Sequence, residues 1–287
     1  MSNTYKSGLK FDETLDFNID GCIERVESKK ASLIVIDGGV GEGKTTLGTE
    51  VAQRIAKKLN QDFDITKQVK MGGREFLEGL QWCSKNGRRI VVYDEAGDFN
   101  TRASLTYFNQ TLNRVFETYR ALKIIVILCL PSFSDLDTSL MKKKISRFLI
   151  HTYGRNNTQG NYSVYSLYRM WYLKRAMSKA TVPDSAYNRV SPNFYGHFKD
   201  LDTGDAQLLE NLSIKGKKNI VDKSVLKEKG LMSIQEIAEF TGYAVSSVRN
   251  FITARNFKGE KYGNKLYFNK SLVNALMFQK EKTGKVA

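Results

Sequence analysis

The sequence comprises 287 residues, of which 41% are apolar, and carries a formal net charge of +15. This length allows one large domain and a smaller one, and the positive charge indicates a polyanionic partner without distinguishing DNA, RNA and an anionic membrane. The three cysteines are odd in number and far apart, and there are only two histidines. These counts argue against a disulfide framework and exclude a histidine-rich metal site.

Two segments bear on the location of the protein. The longest apolar run, residues 124–131, is far shorter than the ~20 residues that span a bilayer and is typical of a buried strand. The first 17 residues have no apolar stretch behind a basic segment, so no secretory signal is indicated. We therefore expect a cytoplasmic protein with no membrane partner.

A glycine-rich loop lies between a short apolar run and an amphipathic helical pattern, in LIVIDGGVGEGKTTLGTEVAQRIAKKL. Its residues Gly38, Gly43, Lys44 and Thr45 satisfy the spacing G-x-x-x-x-G-K-[ST]. The glycines allow successive backbone N–H groups to point at phosphate oxygens, and the following helix adds its positive N-terminal end. Lys44 is expected to reach the β- and γ-phosphates, and the Thr45 hydroxyl to ligate Mg²⁺. The alternative is a glycine-rich turn that binds no nucleotide.

This loop resembles that of the P-loop NTPases, and the resemblance implies ATP and Mg²⁺ as cofactors. The second residue of the loop is Gly39, so the lysine that ParA-type ATPases carry early in this loop is missing. That branch of the NTPases is therefore disfavoured. The residues predicted to bind the nucleotide are Gly38, Gly39, Gly41, Gly43, Lys44, Thr45 and Thr46.

Acidic residues follow the apolar run 90–93. In P-loop enzymes an aspartate at the end of such a strand holds Mg²⁺ through water, so Asp94 and Thr45 are the predicted metal-binding residues. Glu95 resembles the catalytic glutamate of the additional-strand division of these NTPases, where it polarises the attacking water. The alternative for Glu95 is a helix cap or a loop position. Asp98 is expected in a loop or at a helix N-terminus, outside the chemistry.

The additional-strand division also implies a strand and a helix between the two motifs. Residues 63–71 alternate in polarity and predict a strand, and residues 74–86 have helical spacing. Residues 103–123 predict a further helix, which leads into the strand at 124–131. We therefore expect a RecA-like α/β core with a mostly parallel sheet.

The segment YRALKIIVIL is similar to the segment after Walker B in HerA/FtsK-type DNA motors and related viral packaging ATPases. Nucleotide sites in these families commonly lie between subunits, with an arginine donated to the γ-phosphate by the neighbouring subunit. The resemblance thus implies a homo-oligomer, a ring or a filament, in which Arg120 is the first candidate for that arginine and Arg102 and Arg114 follow. These families usually place a polar sensor directly after the fourth strand, and here Ser132 or Ser134 could sense the γ-phosphate. The predicted catalytic residues are Lys44, Glu95 and Arg120.

Residues 138–199 contain eleven basic residues against one acidic residue. Aromatic residues lie within this region, in NYSVYSLYRMWYLKR, and their alternation predicts a strand over residues 162–173. One interpretation is a groove for a nucleic acid strand, in which basic groups pair with phosphates and rings stack on bases. The other is a sheet edge with aromatic residues in the core and solvated lysines. Residues 181–224 predict an irregular segment and linker.

Residues 225–287 depart from the ATPase pattern and predict a helix-turn-helix followed by two strands. Ser233 can cap the first helix, Gly242 tolerates the positive φ of the turn, and Val248 lies on the inner side of the second helix. The region resembles the winged helix-turn-helix of MerR and excisionase-like DNA-binding domains, which implies DNA as the partner. The alternative is a small helical module that binds another protein. The residues implied to contact DNA are Ser246, Ser247, Arg249 and Asn250 in the major groove and Lys258, Lys261 and Lys265 at the phosphates.

These features predict three regions: a P-loop ATPase domain (1–180), a linker (181–224) and a winged helix-turn-helix domain (225–287). The first hypothesis is an ATPase whose subunits hydrolyse ATP at their interfaces to move, package, transfer or segregate the DNA of a mobile element or virus. The alternative is an ATP-controlled, site-specific DNA-binding switch, as in replication initiation, transposition or partition, which does not translocate. A metabolic kinase or GTPase is disfavoured by Glu95, because such enzymes generally lack this second acid.

Overall fold

The structure is a computed structural model. It describes residues 13–94, 110, 113, 115–117, 122–155, 158–262 and 265–283. The chain divides into two compact units, residues 1–217 and residues 218–287. No helix in these described ranges is long and apolar enough to cross a membrane.

The first unit alternates strands and helices. Its described elements are α1 (Glu13–Glu27), β1 (Ser32–Gly38), α2 (Lys44–Lys58), α3 (Ile65–Gln68), β2 (Val69–Lys70), α4 (Gly73–Lys85), β3 (Ile90–Asp94), β4 (Ile125–Leu130), α5 (Thr138–Lys142), β5 (Ser146–Arg155), β6 (Thr158–Ser166), α6 (Leu167–Met177), β7 (Phe194–His197) and the beginning of α7 (Thr203–Glu228). Short 3-10 turns lie at Phe133–Asp135 and Pro183–Asn188.

Seven strands form one sheet in the order β2-β3-β4-β1-β5-β6-β7. The pairings from β2 through β5 are parallel, whereas β6 and β7 add antiparallel strands at one side. The sheet confirms the predicted α/β class with a mostly parallel sheet. Strand β4 lies between β1 and β3, so the strand that ends at Asp94 is not the neighbour of the strand that leads into the glycine-rich loop.

Both faces of the sheet are covered, which explains why β1 is a continuous apolar run rather than an alternating one. Ile34 and Ile36 of β1 pack on one face with the apolar side chains of α1 and α2. Leu33 and Val35 pack on the opposite face with those of α4 and α6. The site residues at the end of β1 are therefore positioned by a core on each side of the sheet.

Three predicted segments differ from the structure. Residues 63–71, predicted as a strand, form α3 and only a two-residue strand, because Asp64 caps a helical turn by accepting a hydrogen bond from Thr66 N at 2.9 Å. The strand predicted over residues 162–173 ends at Ser166, and α6 follows. The region 181–224, predicted as irregular, contains β7 and more than half of α7. The helix predicted over 103–123 lies largely outside the described residues.

The second unit contains the end of α7 and then β8 (Met232–Ser233), α8 (Ile234–Thr241), α9 (Val245–Ala254), β9 (Glu260–Tyr262), β10 (Lys265–Phe268) and α10 (Lys270–Thr283). Its three strands pair antiparallel in the order β8-β10-β9. Ser233 and Glu236 form a capping box at the start of α8, and Gly242 ends that helix with a φ of 74°. The core of this unit contains Ile237, Val248 and residues of β10 and α10.

Candidate nucleotide-binding site

The phosphate loop, residues 38–45, connects the end of β1 to the start of α2. Gly41 and Gly43 have left-handed φ values of 83° and 78°, which glycine adopts without the strain that a Cβ atom introduces. Gly43 caps α2 without a side-chain hydrogen bond, and the first turn of that helix contains no acidic residue. The positive end of the helix dipole is therefore not neutralised by a carboxylate of its own first turn and favours an anion.

The Lys44 ammonium group is held by the loop itself. Its Nζ atom donates hydrogen bonds to the carbonyl oxygens of Gly38 at 2.8 Å and Gly39 at 2.6 Å. A protonated lysine has three donors, and these two bonds fix the position of the ammonium group over the loop. This arrangement places a positive charge beside the N-terminus of α2, where a phosphate group would lie.

A direct hydrogen bond connects the two predicted motifs, the phosphate loop and the acidic residue at the end of β3. The Thr45 hydroxyl, on the first turn of α2, donates a hydrogen bond of 2.5 Å to Asp94 Oδ2 at the end of β3. Asp94 is only 9% exposed. A hydroxyl and a carboxylate oxygen are donors that Mg²⁺ prefers, and Mg²⁺ sites are commonly completed by water and substrate phosphates. The residues present therefore fit a magnesium ion bound together with a nucleotide.

Cys129 of β4 lies directly beneath the start of α2. Its thiol is 3.5 Å from the carbonyl oxygen of Lys44, and a Cβ atom at Gly48 would lie 2.9 Å from the cysteine sulfur. Burial raises the pKa of the Cys129 thiol well above its ordinary value, and the nearby Asp94 carboxylate acts in the same direction. The thiol is therefore neutral, and its role here is close packing that sets the height of α2 above the sheet.

Asp37, the residue before the loop, makes its contacts on the face of the sheet opposite to α2. It was not among the site residues predicted from the sequence. Its carboxylate accepts hydrogen bonds from the backbone N–H of Phe133 at 2.8 Å and from the Tyr187 hydroxyl, and its Oδ1 lies 3.0 Å from His151 Nδ1. The rings of His151 and Tyr187 stack with centroids 3.6 Å apart. Burial raises the pKa of Tyr187 well above its ordinary value, so its hydroxyl stays protonated and donates. Asp37 thus ties the base of the phosphate loop to the turn after β4.

The turn after β4 contains Ser132 and Ser134, the two predicted sensor candidates. Their hydroxyl oxygens are 2.9 Å apart, and Ser132 Oγ also accepts a hydrogen bond from Ser134 N. Lys174 of α6 holds this turn by donating to the carbonyl oxygens of Phe133, Ser134 and Leu136 at 3.0, 2.7 and 2.5 Å. Burial lowers the pKa of Lys174 to about 8. The role of either serine as a γ-phosphate sensor stays a prediction.

Phe198, just after β7, packs against the cap of α2. A Cβ atom at Gly43 would lie 2.8 Å and 2.9 Å from two atoms of the Phe198 ring. The backbone of Phe198 is fixed by a 2.7 Å hydrogen bond from its N–H to the carbonyl oxygen of Gly160. Gln53 of α2 in turn donates to Asp205 of α7 at 2.5 Å. Residues that follow the antiparallel strands therefore support α2. Local sequence patterns could not predict these contacts, because the residues involved are far apart in the chain.

The remaining predicted site residues divide into two groups. Glu95 and Arg120, predicted as catalytic, lie outside the described residues, as do Asp98, Arg102 and Arg114. The predicted DNA contacts belong to the second unit. Side chains exposed on α9 or near β9 are those of Ser246, Ser247, Arg249, Asn250, Lys258 and Lys261, whereas Lys265 is described only by its backbone in β10.

The β1 strand, phosphate loop and α2 helix, set in a mostly parallel sheet, give the chain the fold of a P-loop NTPase. No family model matches the chain, and no curated protein matches it.

Similar solved structures include a chain of the HORMA:CdnC:Trip13 complex of E. coli MS115-1, at 16% identity and a TM-score of 0.31, which covers 50% of this chain and 62% of that one. Rhizobiales Trip13 has 16% identity and a TM-score of 0.28, with 58% of this chain and 66% of that chain covered. A DNA replication initiation factor has 14% identity and a TM-score of 0.31, with 96% and 81% covered.

The chain thus spans less than two thirds of the length of the two Trip13 structures. At these identities and TM-scores the likenesses add nothing to the assignment, which depends on the sheet order and on the geometry of the phosphate loop.

Proposed function

We propose that the protein is a Mg²⁺-dependent ATPase whose site is formed by the phosphate loop and Asp94. The observation that carries this proposal is the 2.5 Å hydrogen bond between Thr45 Oγ1 and Asp94 Oδ2, since it brings the two motifs together at the N-terminus of α2. The bound Mg²⁺–ATP supplies the phosphoryl group that is transferred to water. Lys44 would bind the β- and γ-phosphates of ATP, and Thr45 and Asp94 would hold the metal, which would neutralise charge on the phosphates.

The order of the strands supports membership in the additional-strand division. Strand β4 separates β1 from β3, and α3, β2 and α4 lie between the two motifs along the chain. In that division the catalytic base directly follows the metal-binding aspartate, and Glu95 has this position. Glu95 accordingly polarises the attacking water. Arg120 of a neighbouring subunit contacts the γ-phosphate in a ring or filament of identical chains.

The second unit serves this ATPase as a DNA reader. Helices α8 and α9 flank the left-handed Gly242, and Val248 is buried while Arg249 and Asn250 beside it are exposed. This arrangement leaves the outer side of α9 available to base edges, and Lys258 and Lys261 available to phosphates. We infer that the cytoplasmic oligomer uses ATP to move, package, transfer or segregate DNA.

ATP turnover in the Glu95→Gln variant tests the proposal, with Asp98→Asn as the matched control. Removal of a general base typically costs about 10²- to 10⁴-fold in rate, so Glu95→Gln should bind ATP but hydrolyse it at least ~100-fold more slowly. Asp98→Asn removes a carboxylate three residues further along and should leave turnover close to that of the wild type. Turnover of Glu95→Gln at the wild-type rate would show that Glu95 is not the base.

Two further measurements separate movement of DNA from an ATP-controlled switch. Clearance of a protein roadblock from duplex DNA during hydrolysis is expected of a motor, whereas a switch would bind a specific site without clearing it. Removal of residues 225–287 should abolish preference for DNA sequence in either case. Unchanged DNA binding after that removal would contradict the role of the second unit as the reader.

A further inference from the structure

Helix α6 presents aromatic rings to solvent along one side. Tyr168, Trp171 and Tyr172 are 69%, 36% and 49% exposed, and Arg175 is exposed beside them. Their spacing of three, four and seven residues places the four side chains on one face of the helix, which we call the α6 aromatic face. Single exposed apolar residues are ordinary, but a contiguous group of large rings usually marks a binding surface.

The structure separates these rings from the other tyrosines of the same segment. Tyr162 and Tyr165, which precede them on β6, are fully buried in the core. The opposite side of α6 is also buried, through Met170, Leu173 and Met177. The core therefore accounts for the buried residues of the helix and for the tyrosines of β6, but it does not use the rings of the α6 aromatic face.

The two tyrosines of this face are ordered by each other. Their hydroxyl groups are 2.6 Å apart, and their rings pack edge to face with centroids 4.8 Å apart. The mutual hydrogen bond raises the pKa of Tyr168, so the hydroxyl stays protonated and can keep this bond. Rings that are already ordered lose less conformational freedom when a ligand stacks on them.

The charged residues on and beside α6 indicate which class of ligand the α6 aromatic face binds. Helix α6 contains Arg169, Lys174 and Arg175 but no acidic residue, and Lys179 is exposed just beyond its end. An anionic partner is therefore favoured, and it must also offer flat surfaces to three rings. A single-stranded nucleic acid combines a charged backbone with exposed base faces, whereas the bases of a duplex are stacked on each other. An anionic membrane fits less well, because the aliphatic side of the helix faces the core.

We propose that the α6 aromatic face binds single-stranded nucleic acid, with bases stacked on Tyr168, Trp171 and Tyr172 and phosphates paired with Arg175 and Lys179. The eight residues from Tyr168 to Arg175 rise by roughly 10 Å along the helix. That length corresponds to about three nucleotides at the ~3.4 Å spacing of stacked bases. This inference goes beyond the proposed function, since it requires neither ATP hydrolysis nor the DNA reader of the second unit.

Fluorescence of Trp171 in the full-length chain tests contact directly. The sequence has two tryptophans, so Trp82→Phe leaves Trp171 as the only one. Titration with oligo(dT) of 20 nucleotides should quench this emission, because a stacked base contacts the indole ring. An unchanged spectrum at concentrations that saturate binding of a labelled oligonucleotide would overturn the proposal.

A charge-neutral variant isolates stacking from the general attraction of a basic protein. The triple substitution Tyr168→Ala, Trp171→Ala and Tyr172→Ala keeps every lysine and arginine, so the salt dependence of binding should stay the same. Since the variant removes three stacking rings, the affinity for oligo(dT) should fall by at least ~100-fold. Phe17→Ala is the matched control, because Phe17 is a 78% exposed ring on α1, and it should bind like the wild type.

The side chains proposed to bind phosphates are tested by the salt dependence of the affinity. Arg175→Ala with Lys179→Ala should lower the slope of log affinity against log salt by about 1.4, because each single-strand phosphate that a basic side chain neutralises contributes ~0.7 to that slope. Equal binding of oligo(rU) and oligo(dT) would support recognition through base faces alone, whereas a preference would identify RNA or DNA as the ligand and equally support the proposal.

Three results for the triple variant would overturn the inference. These are wild-type affinity for oligo(dT), an altered oligomer mass with unchanged oligonucleotide binding, and loss of binding to anionic vesicles with unchanged oligonucleotide binding. The triple variant should keep the circular dichroism spectrum of the wild type, since Met170, Leu173 and Met177, which bury α6 against the core, are unchanged. Glu95→Gln should bind oligo(dT) normally, so a failure of the ATPase assignment and a failure of this inference are distinguishable.

Discussion

Replacement of Gly43 by alanine should destabilise the first unit more than the same replacement at Gly41. Both glycines have left-handed φ values, of 78° and 83°, so alanine is strained to a similar extent at either position. The surroundings differ, because a Cβ atom at Gly41 would have no heavy atom within 4 Å, whereas one at Gly43 would lie 2.8 Å and 2.9 Å from Phe198 Cζ and Cε2. Gly41→Ala therefore measures backbone strain alone, and Gly43→Ala adds the contact with the ring.

The two costs can be estimated separately. A non-glycine residue in the left-handed region costs about 1–2 kcal/mol, partly offset by the ~0.4–1 kcal/mol that alanine gains by restricting the unfolded chain. We therefore expect Gly41→Ala to lower the free energy of unfolding by about 1 kcal/mol. Forcing an extra methyl group into a packed site adds about 1–3 kcal/mol. Gly43→Ala should thus cost about 2–4 kcal/mol.

Urea unfolding without nucleotide, followed by tryptophan fluorescence, measures this difference. Both tryptophans, Trp82 and Trp171, lie in the first unit, so the signal reports that unit rather than the second. Phe198→Leu removes the two contacting ring atoms and should abolish the excess cost of Gly43→Ala in a double-mutant cycle. The reasoning would be refuted if Gly43→Ala were no more destabilising than Gly41→Ala, or if the excess persisted beside Leu at position 198.

The remaining predictions concern buried groups and a helix cap. Lys174→Met should lower the free energy of unfolding in urea by about 2 kcal/mol or more, since it removes a donor from three carbonyl groups, of which that of Phe133 keeps its bond from Leu136 N. The exposed control Arg175→Met should cost about 0.5 kcal/mol or less. Because burial lowers the folded-state pKa of Lys174 to about 8, the unfolded chain holds this proton to a higher pH, so the stability of the wild type relative to Lys174→Met should increase from about pH 8 to 10. The two chains are compared at each pH because the buried thiols, whose pKa values are raised, lower the stability of both chains as pH rises through the ordinary thiol range. Tyr187→Phe should cost about 1.5–3 kcal/mol in the same assay, as it removes a hydrogen bond to a buried carboxylate, and an unchanged midpoint would contradict that bond. Ser233→Ala should cost the second unit about 1 kcal/mol, seen as faster hydrogen exchange in α8, and unchanged exchange would contradict the capping box. Burial raises the pKa of the thiols of Cys22, Cys83 and Cys129. A thiol reagent should therefore react with the native protein far more slowly than with the unfolded chain, and rapid reaction of the native protein would contradict the burial of these thiols.

The glycine-rich loop and the buried aspartate at the end of β3 could be placed from the sequence because each is set by contiguous residues. Gly38 to Thr45 specify a turn and a helix start by local conformation alone, and Asp94 follows an apolar run that is buried on both faces of the sheet. The sequence also indicates which ends of the strands meet, since parallel strands align their carboxyl ends. The contact between Thr45 and Asp94 follows from these two features.

The surroundings of the loop could not be predicted because they depend on residues far apart in the chain. Asp37 meets His151 and Tyr187 across 114 and 150 residues, and Tyr187 belongs to a region predicted as irregular. The strand predicted over 162–173 is correct only as far as Ser166, for a different reason. Its alternating aromatic residues satisfy a period of two, but the apolar residues Met170, Leu173 and Met177 also satisfy a helical period, and their burial against the sheet determines the outcome.

Helix α6 connects the two surfaces to which we assign ligands. Through Lys174 it holds the turn after β4, and that turn is tied by Asp37 to the residue before the phosphate loop. Its outer side carries the α6 aromatic face. Substitutions of the exposed rings leave the Lys174 contacts intact and should not alter ATP turnover in the absence of nucleic acid. Lys174→Met, in contrast, loosens the turn and the helix together, so it is the single substitution that should impair both ATP turnover and binding of oligo(dT).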